Sequence, residues 1–313
     1  MRIAVLDDYQ KCAERFADWS KVKSAAEVQF FHEPFESPDD VVAKLASFDV
    51  LCLMRERTPF PHDVLKRLRS LRHIVLTGKR SSTLDIDALK GLGISIDFTG
   101  AGPAAHATPE LAFGLLLALA RNIPEGDRLM KAGEWLENAP MGCVLHGKTL
   151  GLIGLGNVGT RVAEFATAFG MKVIAWSPNL TSERAAQAGV EFRSTKQGLL
   201  GESDFVSLHL VLADSTRGIV GHRELSAMKS TAFLINTGRG PLVEEEALVK
   251  ALRGGEIAGA ALDVYDTEPS PRDHPLRSLK NCVLLPHFGY VVAEIYEAFY
   301  QETVAALEGM LDI

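Results

Sequence analysis

No stretch of this chain is both apolar and long enough to cross a bilayer. The most apolar helical stretch, Glu110 to Ala120, falls far short of the roughly 20 residues a spanning helix needs. Cysteine is sparse: four residues in 313 (Cys12, Cys52, Cys143, Cys282), scattered without CxxC or metal-ligand spacing. That pattern argues against a disulfide framework and against a metal site, and it suits small apolar core residues in a reducing compartment. Positive charge is not in excess, since 33 Lys and Arg stand against 40 Asp and Glu for a net charge of -7. Nucleic acid and anionic membrane surfaces are therefore not expected partners, and an anionic ligand would have to be drawn by local positive charge. No low-complexity tract occurs. No signal-peptide organisation is visible at MRIAVLDDY, which opens directly as a strand, and a cytoplasmic location is the expectation.

What is present is alternation. Apolar strand-like runs near Ile3, Val28, Val50, Ile74 and Ile94 are separated by helical segments near Glu14, Val42, Leu65 and Leu89. A second series runs near Ile174, Val190, Val206, Leu234, Ala261 and Leu284. Strands alternating with helices imply parallel sheets, and the length allows two domains of ordinary size. Between the two series lies GLGNVG, Gly154 to Gly159, preceded by Leu150-Gly151-Leu152-Ile153 and followed by Val158, Val162, Phe165 and Phe169 at helical spacing. This is the strand, glycine turn and helix of a dinucleotide site: Gly154 for the tight turn, Gly156 for backbone approach to the pyrophosphate, Gly159 for close helix packing. The first half carries no such turn. The expected fold is α/β, two doubly wound parallel-sheet domains, with a Rossmann cofactor domain (100–290) inserted in a flavodoxin-like substrate domain (1–99 plus 291–313). The hinges are expected near Gly100 and Tyr290, with the active site in a cleft between domains. Thr108 is expected to cap the Glu110–Ala120 helix, with Pro109 at its first position.

An NAD site ordinarily ends its second strand in a carboxylate that accepts hydrogen bonds from the ribose 2′-hydroxyl. Here that position reads Trp176-Ser177-Pro178-Asn179. Ser177, Asn179 and Thr181 offer donors for a 2′-phosphate, with Arg184 near in sequence, although no arginine directly follows the strand. The reading leans to NADP and leaves NAD open.

Three residues downstream each close a strand: Arg239 in NTGRGPLVEEEAL, Glu268 in LDVYDTEP and His287 in LLPHFGY. Alone, each is an ordinary surface charge, loop residue or turn residue. Jointly, at strand ends beyond a dinucleotide turn, where ligands bind in open α/β sheets, they supply an anion holder, a carboxylate and a titratable imidazole. That set suits exchange of a hydride and a proton with a small 2-oxo or 2-hydroxy acid. Asp263, in the apolar strand Ala260 to Val264, is either a ligand contact or a structural hydrogen-bonding residue, since an unpaired buried carboxylate is costly. His209, in VSLHLVLADST, lacks a partner motif and is set aside as the proton-exchanging residue.

These motifs, in this order over essentially the full length, resemble the D-isomer-specific 2-hydroxyacid dehydrogenases of the glyoxylate/hydroxypyruvate reductase kind. The resemblance implies hydride transfer between NAD(P)H and a small 2-oxo acid, Arg239 on the substrate carboxylate and carbonyl, His287 as acid or base, and Glu268 as its partner. It implies a cofactor set of Gly154, Gly156, Asn157, Val158, Gly159, Ser177, Asn179, Val211, Thr216, Thr237, Gly238, Arg239, Asp263, His287, Gly289 and Thr108, with Asp263 toward the nicotinamide amide. Val211 stands where the family often has proline. The family also places backbone amides around the substrate carboxylate in the loop after His73 to Thr77, here Gly78-Lys79-Arg80. That loop is more basic than usual, and Met54-Arg55-Glu56-Arg57 ends the neighbouring strand. Gly78, Lys79 and Arg55 are therefore the expected substrate residues, and a substrate with a second anionic group is an alternative, as is solvent exposure of Lys79 and Arg57. Trp135 matches a position that reaches the partner's active site in some members, and a homodimer is expected. Corepressors of the same superfamily share the cofactor domain, so an NAD(P)-responsive binding protein is the second functional class.

Overall fold

The computed structural model describes residues 1–313, and the chain divides into two compact units, Met1–Ala104 with Val291–Ile313, and Ala105–Tyr290. The first carries strands β1 (Arg2–Val5), β2 (Glu27–Phe30), β3 (Val50–Leu53), β4 (His73–Leu76) and β5 (Ser95–Phe98). They stand in the order β2-β1-β3-β4-β5, all parallel, the flavodoxin-like winding. Strands β3 and β4 are buried along their whole length, as a sheet covered on both faces requires, and apart from His73 at the start of β4 they are apolar throughout. The edge strands β2 and β5 mix exposed and half-buried positions.

The helix Ala293–Leu311 closes this unit. It buries Ile295, Tyr296, Phe299, Tyr300 and Leu307. The Tyr300 hydroxyl donates to Asp8 Oδ1 (3.2 Å), while Asp8 also accepts from the amides of Cys12 (2.8 Å) and Ala13 (3.3 Å) that begin the first short helix. One carboxylate thus joins the end of β1, the first helix and the last helix.

The second unit carries β6 (Thr149–Ile153), β7 (Lys172–Trp176), β8 (Glu191–Phe192), β9 (Phe205–Leu208), β10 (Phe233–Asn236), β11 (Gly259–Leu262) and β12 (Cys282–Leu284). Their order is β12-β11-β10-β9-β6-β7-β8, again all parallel. Side chains alternate between two cores. Leu150, Leu152, Val173 and Ala175 pack on one face with Leu115, Leu116 and Leu119. Ile153, Ile174, Val206 and Leu234 pack on the other with Leu225 and Leu248. The winding reverses between β6 and β9, and this reversal is where a doubly wound sheet accepts a ligand.

The apolar helix begins earlier than its sequence signals imply. It runs Ala104–Ala120 with Pro109 inside it, so Thr108 is not an N-cap. Proline lacks the N–H that would have bonded Ala105 O, but this is only the second turn, where few intrahelical bonds precede it. Thr108 turns its hydroxyl outward and donates to Gly289 O (2.9 Å).

Candidate active site

The glycine turn has the geometry its spacing implies. Gly154 adopts φ +106°, and a Cβ there would meet the backbone of His209 at 2.7 Å. Gly156 precedes the helix Asn157–Ala168, and a Cβ on Gly159 would lie 2.3 Å from Gly154 O. Only hydrogen fits at these contacts, so the helix N-terminus is drawn down onto the turn at the point of winding reversal. A dinucleotide pyrophosphate fits this cradle of amides and helix dipole. Two strands over, beyond β10, the Thr237 hydroxyl is buried with no hydrogen-bond partner, a polar atom that a bound ligand would satisfy.

The carboxyl ends of β10, β11 and β12 carry the remaining chemistry. Beyond β10, the buried Asn236 side chain accepts from Gly238 N (3.0 Å) and donates to Arg239 O (2.9 Å), which shapes the turn that bears Arg239. The guanidinium is half-buried and its Nη1 donates to Gly238 O (2.8 Å). Gly240 must follow, because a Cβ there would collide with the Tyr265 backbone at 2.0 Å.

His287 follows β12 with φ +59°, a left-handed backbone rare for a non-glycine residue. Asp263, fully buried at the end of β11, holds that conformation: Oδ1 accepts from Phe288 N (2.6 Å) and Oδ2 from Gly289 N (2.8 Å). Burial pushes its carboxyl up to about 6, against the opposing pull of the Phe288 amide and the His287 ring. His287 Nδ1 lies 2.6 Å from Glu268 Oε2. A carboxylate only accepts, so Nδ1 carries the proton and Nε2 is the ring atom left to exchange one. Glu268 Oε1 in turn accepts from Tyr265 N (2.9 Å).

The structure thus brings together Thr108, Asp263, Gly289, Glu268 and His287, with Arg239 one strand away. His209 stands apart from them: its Nε2 pairs with Ser207 Oγ (2.9 Å), and packing pushes its imidazole down to about 4. The Thr216 hydroxyl is spent within its own loop, donating to Val211 O (2.7 Å) and accepting from Ala213 N (2.8 Å), while Val211 is largely exposed. Past β7, Ser177 is half-buried and Asn179 exposed. Thr181 caps the helix Ser182–Gln187, and Arg184 Nη1 reaches back to Asn179 O (3.4 Å).

In the first unit, Gly78 has φ +82° and gives its amide to Thr99 Oγ1 (3.0 Å). Arg55, also in the left-handed region at φ +54°, lays Nη1 2.0 Å from where a Gly78 Cβ would be. Arg57 is no solvated charge: it donates to Asp7 O (2.6 Å) and Tyr296 Oη (2.7 Å). Lys79 is exposed. Asn236, Tyr265 and His274 escaped the reading of the sequence. Only Asn236, a turn-forming residue just before Gly238, offered a local signal.

Residues 113–289 match the family model described as D-isomer specific 2-hydroxyacid dehydrogenase, NAD binding domain. A glyoxylate reductase of Aeropyrum pernix is 44% identical over 232 residues, 72% of this chain and 69% of the relative. A D-3-phosphoglycerate dehydrogenase of Methanocaldococcus jannaschii is 37% identical over 83% of this chain, which spans about half (49%) of that protein. Among solved structures, the phosphoglycerate oxidoreductase of Vibrio cholerae o395 superposes with a TM-score of 0.91 at 35% identity, covering 100% of this chain and 98% of that one.

Proposed function

Because this chain belongs to the D-isomer-specific 2-hydroxyacid dehydrogenases, we propose that it is a reductase of small 2-oxo acids such as glyoxylate or hydroxypyruvate, with Arg239, Glu268 and His287 as its working residues. The observation that carries this reading is the 2.6 Å contact between His287 Nδ1 and Glu268 Oε2, one strand end away from a half-buried arginine. The bound nicotinamide supplies or accepts the hydride. Arg239 is always charged and planar, so it grips the substrate carboxylate in a two-point geometry and sits beside the carbonyl oxygen as negative charge develops there. Glu268 fixes the imidazole through Nδ1, and His287 delivers a proton from Nε2 to complete the alcohol. In oxidation the same atom takes the proton back.

The finer features are part of the same proposal. Without a carboxylate at the end of β7, and with Arg184 folded toward Asn179, the cofactor pocket is suited to a 2′-phosphate, and we assign a preference for NADP over NAD. Arg55, laid over Gly78, favours a second reading in which the substrate bears a further anionic group. We assign a homodimer to the exposed apolar set Met130, Trp135, Leu136, Met141 and Val144 of the second unit, with Met141 98% and Leu136 73% exposed, more than a solitary chain ordinarily leaves to water. Sedimentation as a monomer at micromolar concentration would reject that assignment. Four free thiols suit a cytoplasmic location.

Cofactor oxidation against a panel of 2-oxo acids, including a phosphorylated member, with NADH and NADPH in parallel, tests the proposal. Turnover is expected with a small 2-oxo acid. His287→Ala should lose about two to four orders of magnitude in kcat, the usual worth of a positioned acid, while dinucleotide affinity holds. No turnover with any acid, or near-native turnover in His287→Ala, would refute it.

A further inference from the structure

Glu268 and His287 lie 19 residues apart on loops beyond different strands, with side chains 34% and 28% exposed. A pair so open to water contributes little, too little to order both loops by itself. Tyr265 touches both sides of the pair. Its N–H donates to Glu268 Oε1 (2.9 Å), and its hydroxyl donates to Leu285 O (2.9 Å), two residues before His287, with a longer approach to Leu262 O (3.4 Å). The ring is backed edge-on by His274, with centroids 6.2 Å apart at 67°. His274 is itself pinned, its Nδ1 accepting from Leu276 N (3.3 Å) and its Nε2 donating to Glu245 Oε1 (2.8 Å) on the helix that follows the Arg239 turn.

We propose that Tyr265 is a positioning residue for proton exchange at His287: its hydroxyl ties the end of β12 to the loop from which Glu268 reaches back, and so sets the Glu268–His287 contact. The inference rests on the reading of Glu268 and His287 as the acid–base pair. The titratable and charged groups around the phenol are Asp263 at the end of β11, Glu268, His274 and Arg277 on the loop, and Cys282 in β12. Burial first, and then the Asp263 charge, hold the phenol well above its ordinary value. The Cys282 thiol is pushed up to about 11 by burial. The phenol therefore remains a donor throughout the pH range in which His287 works.

Tyr265→Phe removes only the hydroxyl, keeping the ring, the contact with His274 and the N–H that holds Glu268. For 2-oxo acid reduction, kcat is expected to fall about three- to tenfold, the scale of one net hydrogen bond, with the KM values for acid and dinucleotide unchanged. The high-pH limb of the kcat profile should move to lower pH, in the same direction as in Glu268→Gln, because an imidazole less well paired with its carboxylate gives up its proton sooner. In a double-mutant cycle, Tyr265→Phe should cost nothing further in the Glu268→Gln background. An unmoved pH profile, or losses that multiply fully across the cycle, would mean that Tyr265 only packs the loop. If Glu268→Gln leaves the profile unmoved, the acid–base reading itself fails. If Glu268→Gln moves it and Tyr265→Phe does not, only the role given to Tyr265 is lost.

Discussion

A histidine one residue beyond β9 shows how burial separates two imidazoles that look alike on paper. His209 bonds Ser207 and is pushed down to about 4 by its packed surroundings, so it stays neutral, whereas His287 is set against the Glu268 carboxylate. The same shift makes a stability prediction. A folded value below the unfolded 6.5 means that the contribution of His209 is full above about pH 6.5 and is lost as pH falls through about 4, on the order of 3 kcal/mol in total. Thermal melts of wild type and His209→Asn should therefore converge as pH drops from 7 to 4.5. Parallel curves would show that the ring is solvated. At this scale the sequence was legible for position: Arg239, Glu268 and His287 lie beyond the carboxyl ends of β10, β11 and β12, in the same sheet as the dinucleotide turn, and Glu268 meets His287 there. It was opaque for Tyr265 and His274, whose partners, Leu285 and Glu245, lie 20 and 29 residues away across loops. No periodicity encodes such contacts.

Among the elements, strands were the easiest to read, because a sheet covered on both faces demands mostly apolar runs; β3 is wholly apolar, and β4 and β9 have one polar residue each, His73 and Ser207. Helix starts were harder. Thr108-Pro109-Glu110 carries every signal of an N-terminus, yet the helix begins at Ala104, because a proline this near the start removes only one intrahelical bond. The segment after β7 makes a prediction at this scale. There Thr181 caps the next helix and Arg184 returns to Asn179, two residues past Ser177. Ser177→Asp adds a carboxylate where a 2′-phosphate would sit. Two unit charges 4 Å apart repel by roughly 4 kcal/mol at an effective dielectric of about 20, before solvent screening. A third of that shifts cofactor preference nearly tenfold toward NADH. The ratio of kcat/KM for NADPH and NADH, at fixed salt, should fall by at least that factor. An unmoved ratio, or a wild type already committed to NADH, would show that Ser177 does not face the ribose.

The whole molecule has a continuous unit and a discontinuous one, and they should fail differently. Removing Val291–Ile313 strips the first unit of a helix that buries Ile295, Tyr296, Phe299, Tyr300 and Leu307. At about 1.5–3 kcal/mol for each large apolar side chain, the loss is comparable with the roughly 5–15 kcal/mol that holds a domain together. The truncated protein should lose amide protection throughout residues 1–104 in hydrogen exchange, while residues 105–290 keep theirs and still bind dinucleotide. Protection retained in both would mean that the helix is dispensable.

The carboxylate of Asp8, shared between the first helix and Tyr300, also sets a timetable. During synthesis the first 104 residues of this unit, all five strands of its sheet among them, leave the ribosome long before the helix that completes it. The intervening Ala105–Tyr290 takes on the order of ten to forty seconds to make at about 5–20 residues per second. For that interval the central unit is still being made, and the sheet ahead of it on the nascent chain has an apolar face that its last helix has yet to cover. The nascent chain is then a client for chaperones that bind such faces, and the last helix, rather than the first strand, decides when the amino-terminal sheet becomes native.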